Sequence, residues 1–358
     1  MRVGLGLYRH MLTAENFRFA RQAGATDIVA HLTDYFAEGP RIPDSRDGGW
    51  GYTAPKPIWS AEDLRGLRSS VEAEGLRLHA LENLDPAFWY DVLLDGPERD
   101  AQVAAVQQVI RNLGAAGIPV LGYNFSIAGV WGHVTGPWAR GGAESVGFSA
   151  KDGATQTLIP RGQVWNMTYD LDAPAGPQAL TTSEAIWDRL ERFLRDVLPV
   201  AEESGVRLAL HPDDPPLEEL RGHARLVNRP EKYRRLLAIS DSPSNGLEFC
   251  QGTIAEMTSD AGMSVYDAIS EYGASGAIGY VHFRNVRGIV PEYHEVFLDE
   301  GDVDMARCLR LYRDAGYEGL LIPDHTPQMS CAAPWHAGMA YALGWMRAHL
   351  QALGALDA

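Results

Sequence analysis

Four short apolar runs in the second half of the chain each end on a side chain able to ligate a metal. The runs Arg207–His211, Gly246–Cys250, Ile278–His282 and Gly319–Asp324 close on His211, Cys250, His282 and Asp324. Two imidazoles, a thiolate and a carboxylate suit a borderline divalent ion (Mn²⁺, Fe²⁺, Co²⁺ or Zn²⁺) far better than Mg²⁺. Taken singly, each residue has a plainer reading: a satisfied buried histidine, a small core cysteine, an aspartate capping the next helix. The spacings of 39, 32 and 42 residues change that reading, because each fits one strand, one helix and their loops. A parallel barrel brings the carboxyl ends of its strands to one face, so four such residues would converge there.

Other reactive groups surround this set. His325 directly follows Asp324 and cannot share its direction along extended backbone, which makes it a candidate acid or base beside the metal. Arg284, two residues after His282, and Arg140 are candidates for gripping a substrate carboxylate with a bidentate fork. Asn124 and Tyr123 end an earlier apolar run and should face the same cup. In His211-Pro-Asp-Asp-Pro-Pro216, three prolines fix φ around two carboxylates. Asp213 and Asp214 then either serve the turn or accept a hydrogen bond from the His211 ring.

The elements that must position these groups read as alternating strands and helices. Strands are expected at Arg2–Tyr8, Thr26–His31, Leu76–Glu82, Ile118–Asn124, Val206–His211, Gly246–Cys250, Gly279–Phe283 and Leu320–Asp324. Near-continuous apolar character fits strands buried on both faces. Eight strand–helix repeats predict an α/β protein, a (β/α)8 TIM barrel, as a single domain over residues 1–358. Thr181-Thr-Ser-Glu184 resembles a capping box opening a long helix that Gly205 closes. Two long loop insertions, about 33–60 after strand 2 and 126–177 after strand 4, break the rhythm and are expected over the C-terminal face as lid or substrate loops.

Composition narrows the function classes. The 358 residues carry 31 Lys and Arg against 47 Asp and Glu, a formal net charge of −16, which argues against nucleic acid or an anionic membrane as partner. Hydrophobic residues make up 46%, enough for a large core. Three scattered cysteines (Cys250, Cys308 and Cys331) do not make a disulfide framework. The N-terminus has no signal-peptide pattern and no run reaches transmembrane length, so a cytoplasmic location is expected, with Cys250 reduced. Barrels of this kind often associate, and a homo-oligomer is expected.

With these residues assembled, the chain resembles the mannonate dehydratase family of the xylose-isomerase-like barrels. The resemblance spans most of the chain. It is densest in Tyr123-Asn-Phe125, His211-Pro-Asp-Asp-Pro-Pro216, Gly246-Leu-Glu-Phe-Cys250-Gln-Gly-Thr253, Val281-His-Phe-Arg284 and Pro323-Asp-His325, with His294-Glu295 and Glu300-Gly-Asp-Val-Asp304 beside them. It implies a Mn²⁺-dependent lyase that removes water from a sugar acid, mannonate giving 2-keto-3-deoxygluconate. It further implies metal ligands at His211, Cys250, His282 and Asp324 and a catalytic histidine at His325. One departure stands out: where the family has Pro-Gly-Tyr, with a tyrosine that assists proton transfer, this chain reads Pro334-Trp-His336. Either His336 replaces that tyrosine as a second catalytic group, or the substrate differs. The insertion carrying Arg140 likewise suggests a divergent branch. The rival reading is a sugar isomerase or epimerase on the same barrel.

Overall fold

A computed structural model describes residues 1–36, 51–53, 56–152, 156–257 and 262–357 of the chain. Eight parallel strands close into a barrel: β1 (Arg2–Leu7), β2 (Asp27–Ala30), β3 (Arg77–Glu82), β4 (Val120–Tyr123), β5 (Arg207–Leu210), β6 (Asn245–Cys250), β7 (Ile278–His282) and β8 (Leu320–Ile322). Each strand pairs with its neighbours in sequence, and β8 returns to β1. All eight expected strands are present, their bounds shifted by no more than two residues.

The helices that follow are α1 (Ala14–Ala23), α2 (Ala61–Ala73), α3 (Arg99–Ala116), α4 (Ser183–Ser204), α5 (Lys232–Ala238), α6 (Val265–Ala274), α7 (Met305–Asp314) and α8 (Pro334–Ala352). On α4, Leu190, Phe193, Leu194 and Val197 recur at helical spacing and are fully buried. Each such side chain contributes about 1.5–3 kcal/mol. The N-cap of α4 is Thr182, whose hydroxyl accepts from the Ala185 amide. That places Glu184 one position too early to close the expected capping box. Gly205 ends the helix in the left-handed region at φ 66°, where a glycine carries no Cβ penalty.

Period-two alternation sorts each strand into an outward and an inward face. Outward residues such as Leu81, Leu121, Leu208, Leu247, Phe249 and Val281 join the main core under the helices. Inward residues Val29, Ala80, Val120, Ala209, Tyr280, Leu320 and Ile322 fill the barrel. Continuing that inward face by two residues per strand reaches His31, Glu82, His211, His282 and Asp324. All five line one cavity at the carboxyl end of the barrel.

A second sheet adds antiparallel strands to this end. His133–Ala139 pairs with Ala143–Ser149, which pairs with Glu292–Val296, which pairs with Asn285–Ile289. Of the two expected insertions, 33–60 lies largely outside the described residues, while 126–177 supplies half of this sheet. No helix among the described residues is long and apolar enough to cross a membrane.

Candidate active site

The cavity encloses about 420 Å³, and its wall combines the strand-end residues with Tyr8, Asn83, Asn124, Asp214, Arg284 and His325, and with His133 and Thr135 from the added sheet. At its base, ligand atoms of His211, Cys250 and His282 all lie within 4.8 Å of one another. β5, β6 and β7 are adjacent, and past a register shift at Leu247/Glu248 Cys250 lies directly opposite His282, so backbone pairing sets that half of the cluster. Burial alone would push the Cys250 thiol up, but the Arg284 guanidinium and the His211 imidazole outweigh it and bring it down to about 5. Burial would likewise lower His211, yet the Cys250 thiolate and Glu248 raise it to about 9. The thiol is thereby shifted towards the thiolate form that a divalent cation requires.

His282 is held at one ring nitrogen. Its Nε2 lies 3.2 Å from Glu82 Oε2 and 3.2 Å from Glu248 Oε1. Its buried Nδ1 has no hydrogen-bond partner and lies 3.5 Å from Asp324 Oδ2. An unpartnered imidazole nitrogen beside a thiolate and a second histidine fits a bound metal, with the carboxylates at the far nitrogen orienting the ring. The two carboxylates split in character: burial and the neighbouring Glu82 raise Glu248 to about 8, whereas His31 and His282 overcome burial to hold Glu82 down. Glu82, Glu248 and His282 also form a metal-capable group of their own. This layer depends on Gly122, where a Cβ would collide with the Tyr280 hydroxyl and the Glu248 carboxylate.

Asp324 stands at the edge of the cluster. Its Oδ2 accepts from Arg284 at 2.9 Å, and its Oδ1 lies 3.6 Å from His325 Nε2. The three other expected ligands therefore converge, while the fourth is turned onto an arginine and flanked by two histidines.

Arg284 lines the cavity but does not present an open fork to it. One terminal nitrogen faces Asp324 and Glu295 (3.0 Å), and the other faces Asp214 and Glu256 (3.0 Å each). The side chain is 2% exposed. Its four carboxylates come from four separate segments, which explains why the residue read as a substrate clamp in isolation.

His325 faces the cavity and pairs with Glu295, Nδ1 to Oε1 at 2.8 Å. Burial would lower this histidine, but Asp324 and Glu295 raise it to about 9.

Two expected site residues are elsewhere. Arg140 is half exposed on the turn between the outer strands, bound to Asp299 at 2.8 Å and stacked over Phe297, and does not line the cavity. His336 sits in the first turn of α8, with Nε2 at 3.0 Å from Asn16 Oδ1 and its ring edge-on to Phe19. That helix turn points the imidazole at α1, away from the cavity. Asn124 lines the wall as expected. Neither aspartate of the proline loop reaches His211: Asp213 accepts the Leu226 and Val227 amides, while Asp214 faces Arg284 and the added sheet.

Tyr8, His31 and Glu82 escaped the sequence reading as site residues, although each ends an expected strand and the same strand-end rule points to them. His133, Tyr293 and the role of Glu295 had no comparable local signal.

The chain is similar to known proteins over most of its length. The model of the D-mannonate dehydratase (UxuA) family matches residues 15–152 and 178–348. Mannonate dehydratase 2 of Halalkalibacterium halodurans is 30% identical over 279 residues, covering 75% of this chain and 79% of that protein. The Thermotoga maritima mannonate dehydratase is 29% identical over 292 residues, with 75% and 78% covered. A crystal structure of mannonate dehydratase from Streptococcus suis serotype 2 superposes with a TM-score of 0.74 at 25% identity, covering 100% of this chain and 96% of that one. D-psicose 3-epimerase from Clostridium cellulolyticum H10, at 13% identity and a TM-score of 0.56, shares the fold. By the extent of these matches, the chain belongs to the D-mannonate dehydratase family.

Proposed function

We propose that this chain is a hydro-lyase that converts D-mannonate to 2-keto-3-deoxy-D-gluconate with one divalent cation, Mn²⁺, held by His211, Cys250, His282 and Asp324. The observation that carries the reading is the His211–Cys250–His282 cluster, two of whose members line the same cavity as His325. A soft thiolate with two imidazoles selects a transition metal over Mg²⁺, and one carboxylate completes a mixed donor set.

Dehydration removes a poorly acidic proton from C2 and expels the C3 hydroxyl. When bound, the cation supplies Lewis-acid stabilisation of the charge that develops on the substrate carboxylate. The chain's own residues then orient the sugar and move protons. Glu82, hydrogen-bonded to Nε2 with Glu248 beside it, fixes the His282 ring and leaves its other nitrogen free for the cation. Arg284 locks Asp214, Glu256, Glu295 and Asp324 in place, which preorganises the wall before substrate arrives. Asn124 offers an amide to a substrate hydroxyl. His325, flanked by Glu295 and Asp324, is favoured as the imidazolium and protonates the departing C3 oxygen.

The test is to incubate Mn²⁺-loaded protein with D-mannonate and other aldonates and assay for a 2-keto-3-deoxy acid. Its formation is expected. An isomeric sugar with no loss of water would instead favour an isomerase or epimerase.

A further inference from the structure

We propose that His133, oriented by Asp214, is the second proton-transfer residue of this site: it takes the C2 proton while His325 protonates the C3 oxygen. The inference rests on the dehydratase reading above and supplies the group that His336, facing α1, does not.

The geometry of His133 is that of a held base. It begins the outer strand His133–Ala139 and lines the cavity. Its Nε2 lies 3.2 Å from Asp214 Oδ1 and 2.9 Å from the Tyr293 hydroxyl. Tyr293 donates to the same Asp214 oxygen at 2.7 Å. The Tyr293 hydroxyl gives its hydrogen to Asp214 and so accepts from His133, which means that Nε2 carries the hydrogen and Nδ1 presents its lone pair. No hydrogen bond from a described residue occupies Nδ1, and the side chain keeps 17% of its surface exposed. The second Asp214 oxygen is tied to Arg284 at 3.0 Å and to Thr253 at 3.1 Å. The carboxylate therefore has no freedom to swing away when the imidazole becomes charged.

His325 is held in the same manner by Glu295, and the same guanidinium joins the two pairs. An elimination needs two carriers, because one proton leaves carbon while another arrives on oxygen. His133 Nδ1 takes the C2 proton. The C2–H electron pair becomes the C2–C3 double bond as the C3–O bond breaks, and that bond's electrons leave with oxygen. The oxygen takes the His325 proton and departs as water. The resulting enol ketonises when C3 recovers a proton from His133 and the C2 hydroxyl gives one to His325. Both histidines end as they began, and the balance is the loss of one water.

The experiment compares the parent with His133→Gln and His133→Ala, all full-length and Mn²⁺-loaded, on D-mannonate. In both variants kcat is expected to fall by about 100-fold or more, the scale of a lost general base, with metal per chain unchanged. Added imidazole is expected to restore part of the turnover of the Ala variant, which has room for it, and none to the Gln variant. A parent that makes no keto acid from any aldonate overturns the dehydratase reading, and this assignment with it. With an active parent, a Gln variant within about threefold of its kcat overturns the role of His133 alone. So does a slow Ala variant that imidazole leaves slow, or loss of metal from either variant.

Discussion

Tyr293 and Glu295 stand two residues apart on one strand, and each holds a different histidine: the Tyr293 hydroxyl lies 2.9 Å from His133 Nε2, and Glu295 Oε1 lies 2.8 Å from His325 Nδ1. Residues two apart share a face of a strand, so one element of the added sheet orients both imidazoles at once. Arg284 joins the two arrangements from the barrel side, 3.0 Å from Asp214 and 3.0 Å from Glu295.

Removing that guanidinium should therefore be costly. Arg284→Met leaves several buried carboxylates without a counter-charge, and breaking one partner of a buried ion pair costs about 3–5 kcal/mol. Denaturant unfolding is expected to show a loss of that size. Arg284→Lys should recover little of it, because an ammonium cannot reproduce a planar fork facing four carboxylates. By contrast, Arg140→Ala breaks an exposed pair with Asp299 and should cost at most about 1 kcal/mol.

The two histidines of the C-terminal segment should separate cleanly in kinetics. His325→Ala is expected to retain its metal and lose turnover by about 100-fold or more. His336→Ala breaks a contact with Asn16 outside the cavity, and its kcat should stay within about threefold of the parent. Steady-state assays with metal analysis of each preparation check both.

Cys250→Ser replaces a thiolate with a neutral hydroxyl. Its metal affinity should fall by more than the roughly 10- to 100-fold that loss of an outer hydrogen-bond partner costs. Competition with a chelator measures it, and unchanged affinity would remove Cys250 from the ligand set.

Gly122→Ala places a methyl group between Tyr280 and Glu248. Overpacking of this kind costs about 1–3 kcal/mol. Because the displaced Glu248 also flanks His282, metal affinity should weaken along with stability.

Much of this site was legible because a barrel converts sequence parity into direction. An inward residue at each strand end must face one mouth, and that rule alone brings His211, Cys250, His282, Asp324 and Asn124 towards one another. Applied to the first three strands it also reaches Tyr8, His31 and Glu82. The contacts that correct the picture are non-local. The fork of Arg284 is engaged by carboxylates from four segments, which no spacing reveals. His336 follows the Asp324-His325 pair closely, but the first turn of α8 faces it towards Asn16. The outer sheet pairs Ala143–Ser149 with Glu292–Val296 across more than a hundred residues, so the meeting of His133 with Tyr293 had no local signature.

The most direct measurement is a titration of chelator-stripped protein with Mn²⁺, following 2-keto-3-deoxy acid formation from D-mannonate. Negligible turnover is expected without the ion, and activity that saturates at one ion per chain. Undiminished activity in the stripped protein, or no keto acid at any Mn²⁺ concentration, would contradict that expectation.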